Sequence, residues 1–162
     1  MTNDRCTWTR NHLAQYLDGE LSPEETARLA GRGQVDPEAH VLYLKGRHEF
    51  HRMSLDGIQQ SSRLLRRALT IEPDYAAVHA ALAESYGWQA AMGLRPPKFL
   101  SPRSNAAALK ALSLDGTMAK ARAMFGFNAL VYDWDPVTAE RELRRAVELS
   151  PNDSFIRDYL GV

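Results

Sequence analysis

One pattern recurs three times in this chain, and few folds accommodate it. A helix carries a small residue where another helix would cross it and is then stopped by proline or glycine. The clearest copy is WDPVTAERELRRAVELSPND, Trp134 to Asp153. Asp135 suits an N-cap and Pro136 the first helical position, where a missing N–H costs nothing. Ala139, Leu143, Ala146 and Val147 then recur at helical spacing, and Pro151 stops the helix. Upstream, Ile58, Ser61, Leu65, Ala68 and Leu69 precede Pro73, and Ala108 and Ala111 precede Gly116. From Pro73 to Gly116 is 43 residues, and from Gly116 to Pro151 is 35.

A first helix precedes each of these second helices. Asp36-Pro37 opens one with Leu42, Tyr43, Gly46 and Phe50, with a turn around Ser54 to Gly57 after it. Asp74 opens another with Leu82, Ala83 and Tyr86, running to about Met92. Thr117 opens a third with Phe125 and Gly126. Helix pairs repeating at about 34 residues are the period of the tetratricopeptide repeat. The expected fold is therefore all-α, with helical hairpins stacked into a right-handed superhelix. The expected domain spans 36–162, with repeats at 36–73, 74–116 and 117–151 and an unfinished fourth at 152–162. Residues 1–35 form a helical lead-in, with short helices at His12–Leu17 and from Ser22-Pro23 to Ala30. The middle repeat is longer by about nine residues, and Pro96-Pro97 places that excess in a loop, with Ser101-Pro102 restarting the helix. Gly46, Ala83 and Gly126 mark close approaches in the first helices, and Ala68, Ala111 and Ala146 mark crossings in the second.

Lys plus Arg equals Asp plus Glu at 20 each, which gives no electrostatic footprint for nucleic acid or an anionic membrane. No run of about 18 apolar residues spans a bilayer. The first residues, MTNDRCTWTRNH, lack the apolar segment of a signal peptide. Cys6 is the one cysteine, so no internal disulfide forms, and a cytoplasmic location is expected.

Four phrases carry a narrower resemblance: LSPEETARL, DPEAHVLYLKGRHEF, LSLDGTMAKARA and YDWDPVTAERELRRAVELSPND. From Leu21 onward the chain resembles the tetratricopeptide-bearing C-terminal region of bacterial adenylate cyclases, winged-helix regulators and kinases with a TolB-like segment. In such proteins this region is sensory or partner-binding rather than catalytic. The resemblance implies either a stand-alone scaffold or the regulatory part of a longer signalling protein. Near the N-terminus, Cys6 followed by HLAQYLDGELSPEE also resembles the start of a zinc-binding anti-sigma factor. That family closes its site with a His and a Cys-x-x-Cys. With one cysteine, this chain cannot assemble the thiolate set.

The residues point to binding rather than catalysis. No phosphate loop, nucleophile elbow or paired-carboxylate motif occurs, so no enzymatic activity and no cofactor are expected. His48 and His51 share a helical face, but two imidazoles without a third ligand do not make a metal site. Arg141, Arg144 and Arg145 interleave with Glu140, Glu142 and Glu148 as a solvated face. First helices line the concave side of stacked hairpins. By register that lining comprises Tyr43, Arg47, Phe50, Glu84, Trp88, Lys120 and Phe127. Repeats that capture a chaperone's terminal carboxylate use a Lys and Asn clamp. Here Tyr43 and Arg47, Ala80 and Glu84, and Ala123 and Phe127 stand at those places. An aromatic groove flanked by Arg47 and Lys120 instead suits a peptide or a docked partner domain. Finally, Asp153 to Val162 carries Phe155, Ile156, Tyr159 and Leu160 without a second helix of its own. Apolar surface left there predicts self-association through the C-terminal end, or a partner covering it.

Overall fold

The computed structural model describes residues 35–153 and Ile156. The expected lead-in helices and most of the unfinished fourth repeat lie outside these residues. What is described is all helical: α1 (Pro37–His51), α2 (Leu55–Ile71), α3 (Ala76–Ala91), α4 (Pro97–Leu114), α5 (Ala119–Val131) and α6 (Pro136–Leu149). Short connections force each helix back along its predecessor. The helices pair as α1 with α2, α3 with α4 and α5 with α6, and each pair packs on the next through α2–α3 and α4–α5. The first helices of successive pairs also touch, α1 on α3 and α3 on α5.

Local chemistry sets the helix starts. Asp36 Oδ1 accepts the N–H groups of Glu38 at 2.8 Å and Ala39 at 3.2 Å, with Pro37 in the first turn. Asp135 Oδ1 likewise accepts from Thr138 N at 3.0 Å ahead of Pro136. Each cap satisfies donors that the helix itself leaves unpaired. The α1–α2 turn is tighter than the sequence suggests. Ser54 is already the cap, accepting from Gly57 N at 3.0 Å, so Gly57 lies inside α2 rather than in the turn. A Cβ on Gly57 would sit 2.6 Å from the Glu49 carbonyl oxygen, so only glycine fits this approach.

The turn within each pair contains one left-handed residue: Met53 (φ 49), Gly93 (φ 70) and Trp134 (φ 54). Only the middle pair uses glycine for it. The left-handed conformation costs an L-residue with a side chain about 1–2 kcal/mol, so Met53 and Trp134 are held there by the helices on either side.

The Pro-Pro stretch departs from expectation. The connection covers only 92–96, and α4 begins at Pro97, with Pro102 inside it. Ser101 is therefore not an N-cap; it is buried in the helix, next to the fully buried Leu100. Pro102 points outward and loses one hydrogen bond, to the Lys98 carbonyl, near the helix start. Burial of Leu100, Ser101 and Ser104 against α3 offsets that loss. The extra length of the middle pair thus lies in longer helices, 16 and 18 residues against 13 and 14 in the third pair.

The core runs as a chain of apolar contacts from Leu42 and Leu65 through Val78, Leu82 and Ala108 to Met124. A smaller cluster joins Ala123, Leu143 and Ala146 to Ile156, which is fully buried. Alanines 68, 111 and 146 are each 0% exposed, the condition for close helix crossing. Buried hydroxyls stitch the layers together. Ser61 Oγ meets Ser85 Oγ at 2.9 Å, Ser104 Oγ donates to the Ala83 carbonyl at 2.8 Å, and Asn128 Nδ2 donates to Ser104 Oγ at 2.8 Å.

Candidate functional site

Helices α1, α3 and α5 lie side by side, and spacing by four along a helix aims residues at one face. Tyr43 and Arg47 on α1, Ala80 and Glu84 on α3, and Lys120 on α5 meet around a cavity of about 250 Å³. Thr117, Met118, Ser150 and Asp153 complete its rim. Glu84 is the centre, at 3% exposed. The Arg47 guanidinium donates to Glu84 Oε2, and Lys120 Nζ stands 3.8 Å from Glu84 Oε1. One carboxylate therefore holds cations from the helices on both sides. Burying a charged side chain is costly unless it is paired in this way.

Arg47 is further fixed by its own helix. Its Nη2 lies 3.3 Å from His51 Nε2, and its guanidinium carbon is 5.3 Å from the centre of the Phe50 ring. Burial first, and then the positive charges of Arg47 and Lys120, push the His51 imidazole below the ordinary histidine range, with Glu84 opposing. His51 is thus neutral at pH 7. Tyr43 packs on Tyr75 with ring centres 5.5 Å apart, and His40 Nδ1 meets the Tyr75 hydroxyl at 2.6 Å. Burial raises the Tyr43 hydroxyl above its ordinary range, while Arg47 pulls the other way, so Tyr43 offers a neutral O–H.

One turn beyond Glu84 the same face of α3 becomes apolar. Gly87, Trp88 and Ala91 face Met124 and Phe127 of α5 around a cavity of about 180 Å³. The expected groove residues thus divide between two neighbouring hollows. Tyr43, Arg47, Glu84 and Lys120 line the polar one, and Trp88 and Phe127 the apolar one. Phe50 lines neither; it is 5% exposed beneath Arg47. Arg47 and Lys120 also do not flank the groove as unengaged cations, because Glu84 binds both. Sequence reasoning missed Gly87 and Met124. Both are recoverable by helix arithmetic, since Gly87 lies three residues after Glu84 and Met124 four after Lys120.

The Arg/Glu run of α6 is not wholly a solvated face. Glu142 is 9% exposed and accepts from Arg122 at 2.8 Å and Arg141 at 3.0 Å. Arg122 also donates to the Gly116 carbonyl at 3.0 Å, tying the α4–α5 turn to α6. Arg144–Glu140 and Arg145–Glu148 are the exposed pairs. Among the described residues no group of three or more His, Cys, Asp or Glu could hold a metal ion. Nor is any described helix long and apolar enough to cross a membrane.

Comparison with known proteins adds two separate signals. The sequence profile of a family described as a putative zinc-finger matches residues 6–30. Transcriptional regulator HilA of Salmonella typhimurium is 26% identical over 137 residues, which is 85% of this chain and 24% of that protein. Putative adenylate cyclase 3 of Rhizobium meliloti is 34% identical over 71 residues, 44% of this chain and 12% of that protein. The chain thus spans about a quarter of the length of the regulators it matches. These likenesses fit the resemblance to bacterial regulators and cyclases, while no tetratricopeptide family matches. The segment 6–30 holds one cysteine, Cys6, and one histidine, His12. That donor set does not fit a thiolate-rich zinc site.

Proposed function

We propose that this chain is a non-catalytic interaction module of a bacterial regulatory protein, built as tetratricopeptide hairpins stacked into a right-handed superhelix. In this reading 36–162 is the repeat domain, 1–35 its helical lead-in, and α1, α3 and α5 line its concave side. The observation that carries it is the contact between successive first helices, which gathers Tyr43, Arg47, Glu84 and Lys120 beside Trp88 and Phe127. A polar hollow with matched charges next to an apolar one suits a peptide with a polar anchor and, one helical turn or two residues on, an apolar side chain. It does not suit a strongly acidic tail, because Glu84 already engages both cations.

The test is a displayed random-peptide library selected on the full chain, with affinities then measured by fluorescence anisotropy. Enriched peptides that lose about tenfold or more in affinity with Trp88→Ala or Lys120→Ala, but not with Arg145→Ala, support the groove. Peptides indifferent to both groove changes would place recognition elsewhere.

The profile match to residues 6–30 favours a second reading, a degenerate relative of anti-sigma factors whose partner is a sigma factor. A two-hybrid screen against sigma factors with the full chain and with residues 1–34 deleted separates the readings. Signal that depends on 1–34 supports the second; signal that depends on Trp88 and Lys120 supports the first. The likeness to part of HilA and of a cyclase is also what a regulatory segment of a longer signalling protein would give.

A further inference from the structure

The far side of α3 carries a different surface. There α2, α3, the 92–96 turn and α4 enclose a cavity of about 150 Å³. Arg63 and Arg66 reach it from α2, Arg95 from the turn and Arg103 from α4. Acids and bases balance over the whole chain, yet no carboxylate among the described residues lines this cavity. None of the four guanidiniums pairs with a described carboxylate. All four are exposed, so water screens their mutual repulsion, yet together they concentrate positive potential at one opening. Gln89 supplies an independent sign. It is 7% exposed, lines the same cavity, and its Nε2 has no hydrogen-bond partner. A buried amide N–H left without an acceptor is costly.

The side chains around the cavity are chiefly donors, four planar forks and one buried amide, a set that suits an anion rich in acceptor oxygens. Guanidinium forks match phosphate oxygens in pairs, and a tetrahedral phosphate presents oxygens in several directions at once. A carboxylate offers two oxygens in one plane and a single charge. We infer that this cavity binds a small phosphate-bearing ligand, with Arg63, Arg66, Arg95 and Arg103 on its oxygens and the Gln89 amide donating to one of them. A diphosphate balances four guanidiniums better than a monophosphate does. The Tyr86 ring in the cavity wall gives a surface on which the organic part of a nucleotide could rest. The site lies across α3 from Glu84 and Trp88, so it stands or falls independently of the peptide groove.

The experiment is calorimetric titration of the full chain with sodium pyrophosphate and, separately, with a nucleoside diphosphate, at constant ionic strength. Saturable one-site binding is expected, weakened about tenfold or more in the Arg66→Gln/Arg103→Gln double variant. Gln89→Leu is expected to weaken binding while its thermal midpoint stays level or rises, which separates loss of a donor from loss of fold. The Arg144→Gln/Arg145→Gln variant on α6 should bind as the unaltered chain does. A tighter nucleoside diphosphate assigns the ligand to nucleotides, and equal affinities assign it to the phosphates alone; either supports the site. No saturable heat with either ligand, or equal weakening in the α6 control, overturns it. So does binding of a single-stranded oligonucleotide where both small ligands fail.

Discussion

Helices α3 and α6 differ first in their neighbours. Helix α3 touches α1, α2, α4 and α5, whereas α6 packs on α5 and lies beside Ile156. The buried positions follow. In α3 they run from Ala80 through Ser85 without a break and resume at Gly87 and Gln89, so most of its sides are covered. In α6 they are Ala139, Glu142, Leu143 and Ala146, one stripe. A helix enclosed on most sides has little room for long charged side chains, and AAVHAALAESYGWQAA is mostly small or apolar with a single charged residue, Glu84. A helix with one covered side can carry long charged side chains, and α6 carries Arg141, Arg144 and Arg145. Position in a stack, more than propensity, therefore decides composition here.

Each of these helices also buries one glutamate between two cations, which gives the most severe test of the difference. Replacing Glu84 by Gln leaves Arg47 largely enclosed without its counter-charge, since that side chain is only 15% exposed. The expected loss is about 3 kcal/mol in urea unfolding. Glu142→Gln should cost less, about 1–2 kcal/mol, because Glu142 and its partner Arg122 (23% exposed) are less enclosed than Glu84 and Arg47, and its second partner Arg141 is 64% exposed. Equal losses would mean that enclosure does not set the strength of these pairs.

Small residues test whether crowding depends on what a helix crosses. A Cβ on Gly87 would stand 2.4 Å from Met124 Sδ, the flexible end of a side chain bordering the apolar hollow, so Met124 can swing aside and Gly87→Ala should destabilise by about 1 kcal/mol or less. On the edge helix, Ala146→Trp at the fully buried crossing should cost about 1–3 kcal/mol or more and Arg145→Trp almost nothing, read as thermal midpoints. If the two tryptophan variants melt alike, Ala146 is not at a crossing.

The turns offer a gain of stability. Trp134 is 85% exposed at positive φ, so Trp134→Gly loses little packing and relieves backbone strain. About 1 kcal/mol of stabilisation is expected. An unchanged or lower midpoint would show that the indole side chain contributes more than the strain costs.

The smallest effect expected is on pH. The His51 imidazole is held below its ordinary range by burial and by Arg47 and Lys120, against Glu84. The unfolded chain therefore takes up a proton more readily than the folded one. Stability should decline as pH falls through about 6.5, the unfolded value, and His51→Gln should flatten that decline. A decline of equal slope in the variant would assign it to other groups.

These contrasts also explain what could be read from the chain alone. Helices α2 and α6 were legible because a single covered face leaves a 3.6-residue stripe, as at Ile58, Ser61, Leu65 and Ala68. The start of α4 was not. Pro96-Pro97 and Ser101-Pro102 are local breaking signals, and burial of Leu100, a tertiary contact, overrode them. Charge was misread for the same reason. Glu142 looks like its neighbours Glu140 and Glu148 in sequence, and only Arg122 arriving from α5 distinguishes it. Register sufficed to group Tyr43, Arg47, Glu84 and Lys120, since spacing along a helix fixes direction. That Glu84 would engage both cations depended on distances between helices, which no spacing encodes. The arginines around Gln89 drew no notice because they come from α2, the turn and α4, far apart in sequence.

Contacts between neighbouring helices organise stability around α3. Amide hydrogen exchange on the native protein tests this most directly. The slowest exchange is expected in α3, with protection decreasing outward through α4 and α5 to α6, and lower in α1 than in α3. Protection in α6 equal to that in α3, with all helices exchanging through one global opening, would contradict it.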